Sequence, residues 1–196
     1  MNHLTDDMNW IFIWMATNSS TTNRIKSFEY SELEKDFLYL GSNQTSKHLE
    51  GLRSLKISHI VNLAGRCHFP SEFVYGIFHI EDGVSESKRE KNLPLIFEFI
   101  DRARNENPSN RVLIHCRAGI SRTAFVAVAY LIHSRSICLN DAFNMVKQIR
   151  PQIRIHKEHW QFLLTFNTLS NSTVEQIGWM FCQLFDYISR SLVLFI

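Results

Sequence analysis

A short polar loop joins two strongly apolar segments, and this junction constrains the fold more than any other feature of the sequence. The segment "VLIHC", Val112–Cys116, has the apolar content of a buried strand. The segment "RTAFVAVAYLIH", which begins at Arg122, is apolar on all sides, as a buried helix is. A buried strand followed directly by a buried helix is typical of parallel α/β folds.

The rest of the chain repeats this alternation of strands and helices. We predict further strands in "FLYL", ended by Gly41, in "SHIVNLAG" and in "YGIFHIED". We predict further helices in "KHLEGLRSLK", in "NLPLIFEFIDRAR" with Pro94 near its first turn, in "LNDAFNMVKQIR" with an Asn cap, and in "KEHWQFLLTFN". The alternation predicts an α/β domain with a central, mostly parallel sheet flanked by helices on both faces.

Composition divides the 196 residues into three parts. Residues 1–27 end in the polar spacer "TNSSTTN" and are predicted to form a flexible leader. Residues 28–170 are predicted to form one domain. In the tail, residues 171–196, apolar side chains recur at helical spacing, but Glu175, Asp186 and Arg190 interrupt them, so no membrane span is expected. We expect this tail to pack against the domain or, alternatively, to form a helix that contacts a partner or a membrane surface.

Charge and cysteine content exclude several classes of protein. The net charge is +2, too low for a nucleic-acid-binding surface to be expected. The four cysteines include no CxxC pair, so no zinc site is expected. Asp6 and Asp7 precede the first apolar run, where a secretory signal would carry positive charge. We therefore predict a cytoplasmic chain with reduced thiols and leave nuclear entry open.

The loop between the strand and the buried helix has the residues of an anion-binding site. The N–H groups at a helix N-terminus are unpaired and carry partial positive charge, and Gly119 lets the backbone turn so that such groups face inward. The guanidinium of Arg122 matches two phosphate oxygens, and the same field favours a thiolate at Cys116. His115 is predicted to orient the loop, and Thr123 to donate its hydroxyl to the sulfur.

A lone cysteine at the end of a strand is usually a buried structural residue. His-Cys-x5-Arg-Thr with an internal glycine is a far more demanding pattern. We therefore interpret Cys116 as a nucleophile beneath a bound phosphorus atom. The predicted phosphate-binding residues are Arg117, Ala118, Gly119, Ile120, Ser121 and Arg122.

These residues resemble a known family. "HCRAGISRT" is similar to the signature of cysteine-dependent protein tyrosine phosphatases, and "GIS" to that of the dual-specificity subgroup. The segments "FLYLGSNQTSKHLEGLRSLKISHIVNLAG", "FHIEDGVSE" and "IRP" also resemble parts of that subgroup, so the likeness spans roughly residues 30–165. The resemblance implies a small, stand-alone member with a three-layer αβα fold.

The resemblance also implies a two-step reaction that needs no metal and no cofactor. Cys116 would attack phosphorus and form a phosphocysteine, and an acid would protonate the departing oxygen. The likeness of "FHIEDGVSE" to the family's acid loop makes Asp82 the candidate acid. Glu81 and Glu86 are its rivals. Judged without the resemblance, an aspartate in a surface loop is usually a solvated or turn-forming side chain.

The variable residues of the loop favour a phosphorylated protein as substrate. A loop for highly phosphorylated inositol rings would carry lysines, whereas this loop adds one cation, Arg117, and the apolar Ile120. Two alternatives stay open: a phosphoprotein-binding module with little turnover, and a phosphatase of phosphoinositides or RNA 5′ phosphates. A disulfide between Cys67 and an oxidised Cys116 is also left open.

Overall fold

The computed structural model describes residues 28–80 and 86–168, except for the side chains of residues 86–91. The predicted leader and tail lie outside these residues, as do Asp82 and Glu81. The division of the chain into leader, domain and tail therefore stays a prediction.

A five-stranded sheet forms the centre of the domain. Its strands are β1 (Tyr30–Glu34), β2 (Leu38–Ser42), β3 (His59–Asn62), β4 (Val74–Ile77) and β5 (Val112–Cys116). Across the sheet they follow the order β1-β2-β5-β3-β4. The strand β1 runs antiparallel to β2, and all other neighbouring pairs are parallel. The predicted mostly parallel sheet is confirmed.

Helices cover both faces of this sheet. They are α1 (Leu49–Ser54), α2 (Glu86–Glu106), α3 (Arg122–Arg135), α4 (Leu139–Ile149) and α5, which covers residues 157–168. A short 3-10 helix, Thr45–Lys47, precedes α1. In α3, the residues from Thr123 to Ile132 are all buried, as the apolar sequence predicts.

Side chains alternate between the two faces of the sheet along each strand, and a separate hydrophobic core lies on each face. Leu38, Leu40 and Ile114 belong to the larger core, which also contains apolar residues of α2, α3 and α4. Their strand neighbours Tyr39 and Leu113 point to the opposite face. On that face they form a smaller hydrophobic core, whose other buried members are Leu52, Ile57, Ile60 and Phe73. Because Leu52 belongs to α1, helices lie on both faces and the fold has three layers.

The edge of the sheet differs from the prediction in two ways. The strand β1 was not predicted, and β2 continues through Gly41 to Ser42 instead of ending at the glycine. The strand β1 alternates exposed and buried residues only briefly, so its sequence signal is weak. A side chain at position 41 would not fit, because the side chain of Thr45 lies 2.8 Å from where a Cβ would be. The strand therefore continues through a glycine at this position.

Two predicted helix starts were wrong. The helix α2 begins at Glu86, so Pro94 lies inside it and not near its first turn. The preceding residues are mostly Glu, Lys and Arg, which favour helix and extend it. The N-cap position of α4 is Cys138, whose side chain makes no capping hydrogen bond, and not an asparagine. The main-chain N–H of Leu139, at the start of α4, instead donates a hydrogen bond to Oδ1 of Asn167 in α5 at 2.8 Å.

The described residues contain neither a membrane-spanning helix nor a metal-binding cluster. None of the helices described between residues 28 and 168 is long and apolar enough to span a membrane. The same part of the chain contains no cluster of three or more His, Cys, Asp or Glu side chains able to hold a metal ion.

Candidate active site

The carboxyl ends of three parallel strands bring the candidate site together. Ser42 at the end of β2 is paired with Cys116 at the end of β5, and Asn62 at the end of β3 is paired with His115. The loops that follow these strands therefore leave the same edge of the sheet. In open α/β sheets this edge is where ligands bind.

The thiol of Cys116 lies under the loop that joins β5 to α3. The residue is only 2% exposed. Its sulfur accepts a hydrogen bond from the main-chain N–H of Gly119 at 3.2 Å. The loop thus turns an N–H group inward over the sulfur, which is the arrangement that an anion cradle requires.

Only glycine fits at position 119. Its φ is +70°, in the left-handed region. A Cβ there would lie 2.5 Å from the carbonyl oxygen of Gly41. The loop therefore approaches the backbone of β2 too closely for any side chain, and this close approach fixes the curvature of the loop.

The side chain of Arg122 is held by two main-chain carbonyl groups, one in the loop after β3 and one after β4. Its Nη1 donates to the carbonyl oxygens of Leu63 at 3.0 Å and Ile80 at 3.3 Å. Two carbonyl acceptors orient the guanidinium before any ligand is present. Ile80 is also the last described residue before the segment that contains Asp82, so the chain that leads to the candidate acid passes beside Arg122.

Thr123 and His115 support the loop, and the contact of Thr123 differs from the prediction. The hydroxyl of Thr123 donates to the carbonyl of Gly41 at 3.4 Å and not to the sulfur of Cys116. The ring of His115 is fully buried, and its nitrogens form no hydrogen bond of good geometry. Burial lowers the pKa of His115 to about 4, and the ring is neutral at physiological pH. The backbone of Cys116 is nevertheless close enough to raise the pKa of the ring slightly, so the predicted contact of His115 with the loop backbone stays a prediction.

The loop is also supported from outside by residues that the sequence did not reveal. Arg150 donates through Nε to the carbonyl of Gly119 at 2.7 Å. The main-chain N–H groups of Arg154 and His156 donate to Ile120 O and Ser121 Oγ at 3.3 and 3.1 Å. These contacts join positions more than thirty residues apart, and the "IRP" resemblance was the only signal that pointed to Arg150.

The predicted phosphate-binding residues follow one another in the loop between β5 and α3, and the N–H of Gly119 contacts the sulfur. Arg117 and Ala118 are exposed, Gly119 is buried, and Ile120, Ser121 and Arg122 are partly buried. Asn43 donates its N–H to the carbonyl of Arg117 at 3.2 Å, so the loop after β2 also holds this turn.

Together, the three-layer fold and a buried thiol inside a curved loop that ends in a fixed arginine define the class of cysteine-dependent phosphatase domains. The chain belongs to the family "Dual specificity phosphatase, catalytic domain", whose model matches residues 38–169.

Proteins with similar sequences include other dual specificity phosphatases. The chain is 36% identical over 144 residues to mouse Dual specificity protein phosphatase 2, covering 70% of this chain and 44% of that protein. It is 38% identical over 121 residues to mouse Dual specificity protein phosphatase 19, covering 61% and 54%. The chain therefore spans about half, or less, of the length of these two relatives.

Solved structures share the fold. The crystal structure of human tyrosine phosphatase-like serine/threonine/tyrosine-interacting protein matches with a TM-score of 0.65 and 26% identity. The match covers 73% of this chain and 98% of that one.

Proposed function

We propose that this protein hydrolyses phosphotyrosine and phosphoserine or phosphothreonine in phosphorylated proteins, through a phosphocysteine intermediate. The observation that carries the proposal is the 3.2 Å contact between the Cys116 sulfur and the inward-facing N–H of Gly119. A thiol in contact with a donor of the anion cradle lies where it can attack a bound phosphoryl group. Membership of the dual specificity family supports the choice of substrate.

In the first step, the sulfur of Cys116 attacks phosphorus. A sulfur–phosphorus bond forms, and the bond from phosphorus to the ester oxygen breaks. Loop N–H groups and the guanidinium of Arg122 hold the charge on the other phosphoryl oxygens. Asp82 gives its proton to the departing tyrosine, serine or threonine oxygen.

In the second step, water releases the phosphate. The carboxylate of Asp82 removes a proton from water while the oxygen attacks phosphorus. The sulfur–phosphorus bond breaks, and Cys116 leaves as a thiolate. Because Arg122 is held by the carbonyl groups of Leu63 and Ile80, it keeps its position through both steps.

Replacing the nucleophile tests this mechanism. Cys116→Ser should abolish turnover of phosphotyrosine and phosphothreonine peptides and still bind them, because a hydroxyl is not ionised near neutral pH. Arg122→Lys should lose both binding and rate, because an ammonium cannot make the forked contact. Cys67→Ser is the matched control, since it changes the same atom in a half-buried thiol elsewhere. Substantial activity in Cys116→Ser would refute the mechanism.

A second candidate function is binding without turnover. One structural neighbour is named as an interacting protein that is tyrosine phosphatase-like. Vanadate-sensitive turnover of an aryl phosphate by the wild type separates the enzyme from the binding module. Activity only on phosphoinositides or RNA 5′ phosphates would move the substrate class.

We also propose that the protein acts in the cytoplasm, where its thiols stay reduced. Fractionation of cells that express the full chain tests this location, and recovery in a secreted fraction would contradict it.

A further inference from the structure

The two carbonyl groups that accept from Arg122 are supported in different ways. Leu63 extends the pairing of β3 with β5, because its N–H donates to the carbonyl of His115 at 2.9 Å. On the β4 side, Phe78 is the first residue after the strand and still donates its N–H to the end of β3 at 3.0 Å. Ile80 lies two residues further along. Its carbonyl therefore depends on a support other than the sheet.

A tight turn follows Phe78, and the side chain of Asn92 in α2 holds it. The N–H of Ile80 donates back to the carbonyl of Phe78 at 3.2 Å. The Nδ2 of Asn92 donates to the carbonyl of His79 at 2.9 Å. The carbonyl of His79 and the N–H of Ile80 belong to one planar peptide group. Both polar ends of this group are thus bonded, and these bonds set its orientation.

The helix α2 gives Asn92 a fixed base. The next residue, Leu93, is 1% exposed, and Ile96 one turn later is fully buried. Both belong to the larger core, and the side chain of Ile80 lies in the same core. The helix and the turn are therefore anchored in one packed interior, and Asn92 joins them through a hydrogen bond outside it.

The position of Asn92 in the helix agrees with a role outside the helix. Because α2 begins at Glu86, Asn92 lies in its interior and not at its N-cap. Asparagine is disfavoured in helix interiors, since its amide competes for nearby backbone groups. Here the amide donates to His79, which precedes α2 in the chain. The bond links two segments that the helix itself does not connect.

We propose that Asn92 is a positioning residue for Arg122. By holding the peptide group between His79 and Ile80, it directs the next carbonyl, that of Ile80, toward Nη1 of Arg122 at 3.3 Å. The guanidinium then keeps the orientation in which its fork meets phosphoryl oxygens. This inference rests on the proposed phosphatase function and adds to it a residue that lies outside the loop between β5 and α3.

Asn92→Ala removes the donor and tests the proposal. Alanine favours helix more than asparagine does, so the substitution itself does not weaken α2. We expect kcat/KM to fall about fivefold, the effect of one hydrogen bond, and the dissociation constant of vanadate to rise by a similar factor. The loss should be equal for a phosphotyrosine peptide and for an aryl phosphate with an acidic leaving group, because Arg122 holds the phosphoryl oxygens of both.

Asn110→Ala is the matched control. The Nδ2 of Asn110 donates to the carbonyl of Ala103 at 2.9 Å, which is the same kind of bond at the other end of α2. Asn110 precedes β5 and so lies at the end of that strand opposite to Cys116. This variant should lower the thermal unfolding temperature but keep wild-type kcat/KM and vanadate binding. Equal kinetic losses in the two variants would show a general structural effect and refute the proposal.

The remaining outcomes separate this proposal from the one it rests on. If Asn92→Ala does not fold, Asn92→Leu, which keeps the branched shape without an N–H donor, carries the same test. Wild-type kcat/KM and vanadate binding in the folded variant would overturn the role of Asn92. A loss confined to the phosphopeptide would also overturn it, because Asn92 would then act on the general acid and not on Arg122. No turnover of any phosphopeptide by the wild type would overturn the phosphatase function itself, and vanadate binding would still test the role of Asn92.

Discussion

The Nε of Arg150 donates to the carbonyl oxygen of Gly119 at 2.7 Å. Gly119 thus faces in two directions, with its carbonyl toward Arg150 and its N–H toward the sulfur of Cys116. Arg150 is only 3% exposed, and burial lowers its pKa, but a guanidinium stays charged in proteins. Its Nη1 also donates to Ser31 Oγ at 3.2 Å, so β1 helps to hold the loop.

Arg150→Met should lower kcat and weaken vanadate binding, although Arg150 is not one of the loop residues. Loss of the bond to Gly119 leaves the buried carbonyl without its donor, and we expect kcat to fall by up to about 10²-fold through misplacement of the N–H groups. Vanadate should bind more weakly for the same reason. In the control Arg154→Met, the main-chain bond to Ile120 remains, so both values should stay near those of the wild type. Equal losses in both variants would contradict a specific role for Arg150.

Gly119→Ala should be far more damaging than Gly65→Ala. Both glycines have positive φ, +70° and +91°, so both variants pay the left-handed strain of about 1 kcal/mol. A Cβ at position 119 also meets the Gly41 carbonyl at 2.5 Å, whereas nothing lies within 4 Å at position 65. We expect activity to be lost only in Gly119→Ala, as measured by kcat/KM beside thermal unfolding. Similar kinetics in both would refute the close approach.

Asp82→Asn should slow hydrolysis in a way that depends on the leaving group. A peptide tyrosine or serine oxygen needs a proton more than an activated nitrophenolate does, so phosphopeptide hydrolysis should fall by about 10²-fold or more. The loss should be smaller for aryl phosphates with acidic leaving groups. Glu81→Gln and Glu86→Gln, measured on the same two substrates, are the comparison. Leaving-group dependence in Glu86→Gln but not in Asp82→Asn would assign the acid to Glu86.

Acidification should destabilise the fold through His115. Because its pKa falls from about 6.5 to about 4 on folding, the unfolded state binds a proton between these pH values and the folded state does not. Stability should therefore fall by up to about 1.4 kcal/mol per pH unit as the pH drops through this range, and be unaffected by His115 above it.

Urea unfolding at pH 7, 6 and 5 measures this slope. Burial also lowers the pKa values of His59 and His68, so their contributions add to the wild-type slope. His115→Phe should reduce the slope, and His156→Gln, which removes an exposed ring, is the control. An unchanged slope in His115→Phe would contradict the buried, neutral state of His115.

Local sequence was sufficient for much of the fold. The apolar run of β5 and the all-round apolar α3 predicted a buried strand and a buried helix, because burial on every side leaves no polar stripe. The pattern of Cys116, Gly119 and Arg122 predicted the loop because these residues lie within one short segment. Their spacing alone therefore brings the nucleophile, the flexible backbone position and the cation together.

Only tertiary structure determined what holds that loop and what lies beside it. The Arg150–Gly119 bond spans 31 positions and the Arg122–Leu63 bond 59, and no local pattern specifies partners so far apart. Lys47 and Arg66 each look like ordinary surface cations in the sequence. They meet at one cleft because parallel pairing of β2, β5 and β3 brings the carboxyl ends of distant strands to one edge.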